Sequence, residues 1–225
     1  AGVSSPVLLP DVAVLDAQLT LGLPAVVTAM TGVDAMVHAI EAYTSRHQKN
    51  PMSDNVARQA LVLLSSNIRT AVHDGRNPQA REAMLLGACL AGQAFANSPV
   101  AAVHALAYPI GGHYKVPHGL SNALVLPHVL RFNAQVAPEP YAALLPHVFP
   151  DLPAMSVAEA ALQFAESLAD LSRACGLEQG LRDMGIARDA LPILARDAMN
   201  QTRLLVNNPR PVDEAAALKI YEAAW

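Results

Sequence analysis

Residues 79–98 carry the pattern that most restricts how this chain can fold. After Glu82 nearly every side chain there is Ala, Leu, Gly or another apolar group, and Gln93, Asn97 and Ser98 are the polar exceptions. A helix that is apolar nearly all round has to be enclosed by other elements, so this segment predicts a helix at the centre of a helical assembly. The whole chain leans the same way. It is 52% hydrophobic and only 15% charged over 225 residues, long enough to bury a large core without staples.

That apolar excess does not predict a membrane span. Asp, Arg, His or Gln interrupts every candidate before 18 consecutive apolar residues accumulate, and Leu61-Val-Leu-Leu64, for example, runs into Ser-Ser-Asn. The net charge is −4 with scattered basic residues, which excludes a phosphate-tracking patch and so a nucleic-acid partner. Cys89 and Cys175 sit in apolar helical surroundings and are expected as reduced core thiols. No basic segment followed by an apolar one opens the chain, so the expected compartment is cytoplasmic.

Along the chain, residues 1–30 differ from the rest. Val-Ala-Val-Leu at 12–15, between Pro10 and Asp16, has the length and β-branched content of one short buried strand, and residues 19–30, with Pro24 among them, are expected to be a connection. From Gly32 the pattern turns helical. The segments expected are 34–46, 53–73 closed by Gly75 and Pro78, 79–98, a short helix carrying His104 and broken at Pro109-Ile-Gly-Gly112, and 119–136 with a kink or break at Pro127. Residues 138–155, rich in Pro and Asp, are expected to be a loop. Ser156-Val-Ala-Glu159 matches a capping box opening a helix that ends near Gly176, and 189–204 and 213–225 supply the last helices. The expected fold is all-α, a multi-helix domain over 31–225 with a strand remnant in front of it.

Candidate chemistry concentrates in two places. His104 and His118 flank the Pro109–Gly112 stretch, where Gly111, Pro117 and Gly119 shape an irregular backbone able to bring two helix ends together. Asp34 and His38 are four residues apart, so on a helix they point from nearly one face. Three imidazoles and one carboxylate suit a borderline cation such as Zn²⁺ or Fe²⁺, and a set that leaves positions open is a catalytic rather than a structural site. Each residue also has a plainer reading: Asp34 as a first-turn charge, His104 as a hydrogen-bonded core histidine, His118 as part of a helix start. Glu41, one turn after His38, is open between a role behind the ligands and a solvent-facing position. His113 is a candidate to line a cleft, whereas His47 and His147 are expected exposed and His128 structural. His73-Asp74 pairs the residues at the heart of HD-type phosphohydrolases, but Gly75-Arg-Asn-Pro78 behind it fits a helix end better.

These residues together resemble the iron-containing (group III) alcohol dehydrogenases. The similarity is carried by Thr31-Gly-Val-Asp-Ala-Met-Val-His-Ala-Ile-Glu-Ala-Tyr-Thr44, Ala91-Gly-Gln-Ala-Phe-Ala-Asn97, Val103-His-Ala-Leu-Ala-Tyr-Pro-Ile-Gly-Gly112, Pro117-His-Gly-Leu-Ser-Asn-Ala123, Leu126-Pro-His-Val-Leu-Arg-Phe-Asn133 and Asn208-Pro-Arg210. The resemblance implies Fe²⁺ or Zn²⁺ bound by Asp34, His38, His104 and His118, with Phe95 near the substrate pocket. It further implies an alcohol dehydrogenase, or an aldehyde or ketone reductase, in which the metal polarises the substrate oxygen and a hydride passes to or from NAD or NADP. Where many members carry a second histidine one turn after His104, this chain has Tyr108, whose hydroxyl becomes the candidate proton relay with a much higher ordinary pKa.

Members of that family also carry an N-terminal dinucleotide-binding domain with a glycine-rich turn, and no strand–turn–helix of that kind occurs in these residues. The expected reading is therefore the metal- and substrate-binding helical domain, with NAD(P) held by a missing domain, a small alcohol or aldehyde as substrate, and a homo-oligomeric assembly. Two other readings compete. A lyase of the dehydroquinate-synthase type would share the architecture but needs basic phosphate-binding residues, and Lys115 is the lysine close to the metal candidates. A non-catalytic metal-binding or dimerising module is the alternative from another class.

Overall fold

Asparagine, serine, aspartate and proline set the helix starts in the computed structural model, which describes residues 5–225. The ten α-helices are α1 (Ala25–Thr44), α2 (Pro51–His73), α3 (Pro78–Asn97), α4 (Ala102–Tyr114), α5 (His118–Ala134), α6 (Glu139–Val148), α7 (Val157–Ala174), α8 (Leu191–Ala198), α9 (Thr202–Leu205) and α10 (Glu214–Ala224). Asn50 caps α2 with Pro51 behind it, and the Asn77 side chain accepts from Ala80 N–H at the start of α3. The predicted box is present at α7, where Ser156 and Glu159 each satisfy the other's backbone N–H. Asp213 does the same single-handed for α10.

The architecture is all-α, as expected, and the layers follow from which faces are enclosed. Helices α2 and α3 form an antiparallel hairpin against α1; α1 packs in turn on α5, and α5 on α4, α7 and α10. The enclosed helices are thus α1, α4 and α5, where buried residues run through successive turns. This corrects the expectation for 79–98. α3 buries Ala80, Met84, Gly87, Ala91 and Ala94 along one stripe, but Leu86 on the opposite side is 43% exposed, so apolar composition here marks an outer layer.

Five further expectations change. Residues 12–15 form no strand: Val12 and Val14 are exposed, and no other strand exists among the described residues to complete a ladder. The first four residues of the predicted N-terminal segment lie outside the described residues. The expected connection 19–30 already enters α1 at Ala25, with Pro24 as the cap residue, so Asp34 and His38 sit mid-helix. α4 does not break at Pro109–Gly112 but continues to Tyr114, and Lys115 ends it in the left-handed conformation (φ 59°). Finally, α6 occupies most of the expected 138–155 loop. Pro140 falls at a helix start, where a missing N–H costs nothing, and Tyr141, Leu144, Leu145 and Val148 give the segment a buried face. The expected 189–204 helix is split into α8 and α9.

α1 is also long and apolar enough to pass a membrane-span test, at a mean hydropathy of 1.2. Its buried residues are spent against α2, α3 and α5, so the core of the bundle accounts for that apolarity.

Candidate metal centre

The site lies where α1, α4 and α5 meet, and a missing Cβ lets them meet so closely. A Cβ built on Gly119 would stand 2.3 Å from the Met30 carbonyl oxygen. No other residue fits there, so the first turn of α5 lies directly on α1, one turn before Asp34. The tight connection through Lys115, Val116 and Pro117 folds α5 back from the end of α4. His104 from inside α4 and His118 from the first position of α5 are thereby brought to the same carboxylate.

Ligand atoms of Asp34, His104 and His118 lie within 4.8 Å of one another. Both imidazole Nε2 atoms are 3.7 Å from Asp34 Oδ1. His38 does not join that cluster of atoms. Its ring is stacked between two others, 4.7 Å from His104 and 4.6 Å from Phe95, centroid to centroid. Tyr108 stacks on His118 at 5.7 Å on the more open side. All six residues singled out in the sequence therefore share one neighbourhood.

Glu41 settles the choice left open for it. The side chain is 3% exposed, and both carboxylate oxygens are engaged on α4. Oε1 accepts the Val103 backbone N–H and Oε2 faces His104 Nδ1, each at 2.6 Å. α4 has no cap side chain of its own, so this carboxylate from α1 both satisfies an orphan N–H and sits at the positive end of the helix. It also places the His104 proton on Nδ1, which leaves the Nε2 lone pair facing Asp34 and His118.

Burial favours the neutral form of His38 and of His118. Burial pushes His38 down to about 4 against the pull of Asp34, with His104 adding to the depression. His118 is lowered as well, again chiefly by burial, although Asp34 opposes it. Neutral imidazoles beside a carboxylate are the form in which these groups bind a cation.

Sequence reasoning quoted Asn122 within a motif but gave it no role. It is fully buried, and its amide nitrogen lies 2.5 Å from Asp34 Oδ1, 3.2 Å from His118 Nε2 and 3.4 Å from His104 Nε2. Its Oδ1 is buried without a hydrogen-bond partner. Two amide hydrogens thus face three acceptors, a surplus of lone pairs that a divalent cation would satisfy. The donor set, one carboxylate oxygen and imidazole nitrogens, fits Zn²⁺ or Fe²⁺.

The remaining histidines lie elsewhere. His113 is exposed and pairs with Asp197 at 2.5 Å. His73 reaches the Ala174 carbonyl at the end of α2, as the helix-end reading expects. His47 and His147 are exposed, and His128 is half-buried beside Arg131. Lys115 turns its amine to the Gly112 carbonyl. Cys89 and Cys175 are both free.

Known proteins resemble this chain along nearly all of its length. Residues 28–225 match the sequence profile described as "Fe-containing alcohol dehydrogenase family, C-terminal". The chain is 43% identical over 218 residues to long-chain-alcohol dehydrogenase 1 of Geobacillus thermodenitrificans, covering 97% of this chain and 55% of that protein. It is 39% identical over 217 residues to 1,3-propanediol dehydrogenase of Klebsiella pneumoniae, covering 96% and 56%. Among solved structures, 1,3-propanediol oxidoreductase superposes with a TM-score of 0.89 at 39% identity, covering 93% of this chain and 55% of that one. The chain therefore spans about half the length of the relatives it matches.

Proposed function

The chain belongs to the iron-containing alcohol dehydrogenase family, and from that premise we propose that it is the metal- and substrate-binding helical domain of an NAD(P)-dependent alcohol dehydrogenase or aldehyde/ketone reductase. The observation that carries this reading is the convergence of Asp34, His104 and His118 on one point, with Glu41 fixing the tautomer of His104. Asp34, His104 and His118 would hold Fe²⁺ or Zn²⁺, and His38 would complete the set by turning its ring out of the stack between Phe95 and His104. When bound, such a cation supplies Lewis acidity toward an alcohol or carbonyl oxygen.

The chain's own residues do the rest. Glu41 and Asn122 hold the ligand atoms in register from behind. Phe95, half-buried against His38, offers an apolar wall for the carbon end of a small alcohol or aldehyde. Tyr108, 39% exposed beside His118, stands between the site and solvent, where a phenol can pass a proton to or from the substrate oxygen. Hydride transfer is nicotinamide chemistry. We assign NAD or NADP to residues outside the described helices, because these contain no strand followed by a glycine-rich turn and a helix. Residues 5–24, ahead of α1, would then form the connection between the two functions. The relatives' alcohol and aldehyde substrates are named for those proteins, and a small molecule of that class is the substrate proposed here.

Two reduced thiols fit the cytoplasm as compartment. A homo-oligomeric assembly is part of the same reading, with the exposed Val62 and Leu86 on α2 and α3 as apolar surface available to it.

Metal loading tests the central claim without needing the cofactor. Adding Fe²⁺ or Zn²⁺ to about 100 times its Kd should stabilise the chain by about 2.7 kcal/mol, read as a rise in Tm. The same addition to the His104→Ala variant should do nothing. A variant that retains metal at parent affinity would show that the site is elsewhere.

A further inference from the structure

We propose that Asn122 is a positioning residue of the metal centre: its amide group holds Asp34, His104 and His118 aimed at one place and yields that place to the cation. The geometry is one of competition for the same lone pairs. Nδ2 stands within 2.5–3.4 Å of Asp34 Oδ1 and of both imidazole Nε2 atoms, the very atoms whose mutual separation fits a metal. The reverse amide orientation is disfavoured, since Oδ1 would then stand 2.5 Å from a carboxylate oxygen. His104 cannot relieve that clash by donating, because its proton is committed to Glu41.

The orphaned Oδ1 supports the same conclusion. A fully buried amide that leaves its carbonyl unpaired is held in place by what its nitrogen does. With a cation bound, the two imidazole nitrogens would be its donors, and Asn122 would keep its donation to Asp34, whose carboxylate has acceptor capacity to spare. Asn122 projects from the second turn of α5, one turn after His118, so it is fixed by the same close contact between α1 and α5 that fixes the ligand. Asp34, His104 and His118 are thus pre-aimed at one place, and of the proposed ligands only His38 would have to turn.

The test uses Asn122→Leu, which keeps the volume and loses the donor, and Asn122→Ala, which loses both. Val129→Ala, two turns further along α5 and buried, is a control that lowers stability away from the ligands. Co²⁺ is the probe, with its dissociation constant taken by competition against a chelator and its visible absorption bands recorded alongside. Both Asn122 variants are expected to bind Co²⁺ about 10–100-fold more weakly and with altered bands, by the same factor whatever their Tm values. The Val129→Ala protein should bind as the parent does.

Parent-like affinity and bands in either Asn122 variant overturn the proposal. So does a loss that follows Tm across all three. The proposal rests on the metal-site reading above, yet the two fail separately. If His104→Ala keeps its metal, both fall. If His104→Ala loses it while the Asn122 variants bind normally, the role of Asn122 alone falls.

Discussion

Glu41 and His104, on different helices and 63 residues apart, share a buried 2.6 Å contact, and the other Glu41 oxygen takes the Val103 N–H. One carboxylate thereby caps α4, locks an imidazole tautomer and joins two of the three helices that carry the candidate ligands. Glu41→Gln separates these tasks. The amide still accepts one hydrogen bond, but it presents an NH₂ to the other partner and favours the His104 tautomer whose Nε2–H faces the site. Metal affinity should fall about 10–100-fold, with helical content unchanged. Glu41→Ala should in addition lose about 2–4 kcal/mol of stability, because two buried donors are left unpaired. Metal content after dialysis and urea midpoints check the two arms.

Two glycines close together in the sequence should answer oppositely to the same change. At Gly119 a new Cβ meets the Met30 backbone, which has no flexible end to move aside. Gly119→Ala should therefore push α5 off α1, costing about 1–3 kcal/mol and with it metal retention. Gly112 lies exposed within α4 with open space around it. Gly112→Ala should stabilise by about 0.5–1 kcal/mol through helix propensity. Thermal melts of the two variants settle both signs.

This pair also shows what could be read from the sequence and what could not. Asp34, His38, His104 and His118 could be singled out because ligand-type side chains at helical spacing, set beside a Pro/Gly-rich stretch, suit one chemistry; the structure brings Asp34, His104 and His118 together and leaves His38 stacked beside them. The cap at Ser156 and the stop at Gly176 were legible for the same local reason. Gly111 and Gly112 looked like a break, yet α4 runs through them and through Pro109, and the chain reverses only at Lys115. Prolines likewise hid α6, since a proline at a helix start is indistinguishable in sequence from one in a loop. Asn122 and Glu41 carry their roles through partners on other helices. Nothing in spacing along the chain reports such a contact.

His128 should make the fold acid-sensitive. Burial pushes its imidazole down to about 4, and Arg131 beside it pushes the same way against the weaker opposite pull of Glu166. With a folded pKa below the unfolded value near 6.5, the unfolded chain takes up the proton first as pH falls. Stability should accordingly be constant above about pH 6.5 and decline progressively toward pH 4, by on the order of 2 kcal/mol once partial exposure is discounted. His128→Phe should flatten that decline. Urea midpoints at pH 7.5, 5.5 and 4.5 distinguish the outcomes, and equal slopes in parent and variant would assign the acid sensitivity to other groups.

Tyr108 is the place where the proton route can be read directly. Its ring stacks on that of His118 at an interplanar angle of 20°, on the open side of the site, so a change there alters proton exchange without removing a ligand. In the natural protein that carries this chain, assayed with alcohol and NAD(P)⁺, Tyr108→Phe should keep its metal and lower turnover by about 10²–10⁴-fold, the range of a lost general acid–base group. Tyr108→His should recover much of that loss. Because an imidazole titrates near 6.5 and a phenol near 10, the rate–pH profile of the histidine variant should reach its plateau at a lower pH than the parent's. If Tyr108→Phe turns over at the parent rate with an unshifted profile, the proton leaves by another path, and Tyr108 serves only to cover the outer face of His118.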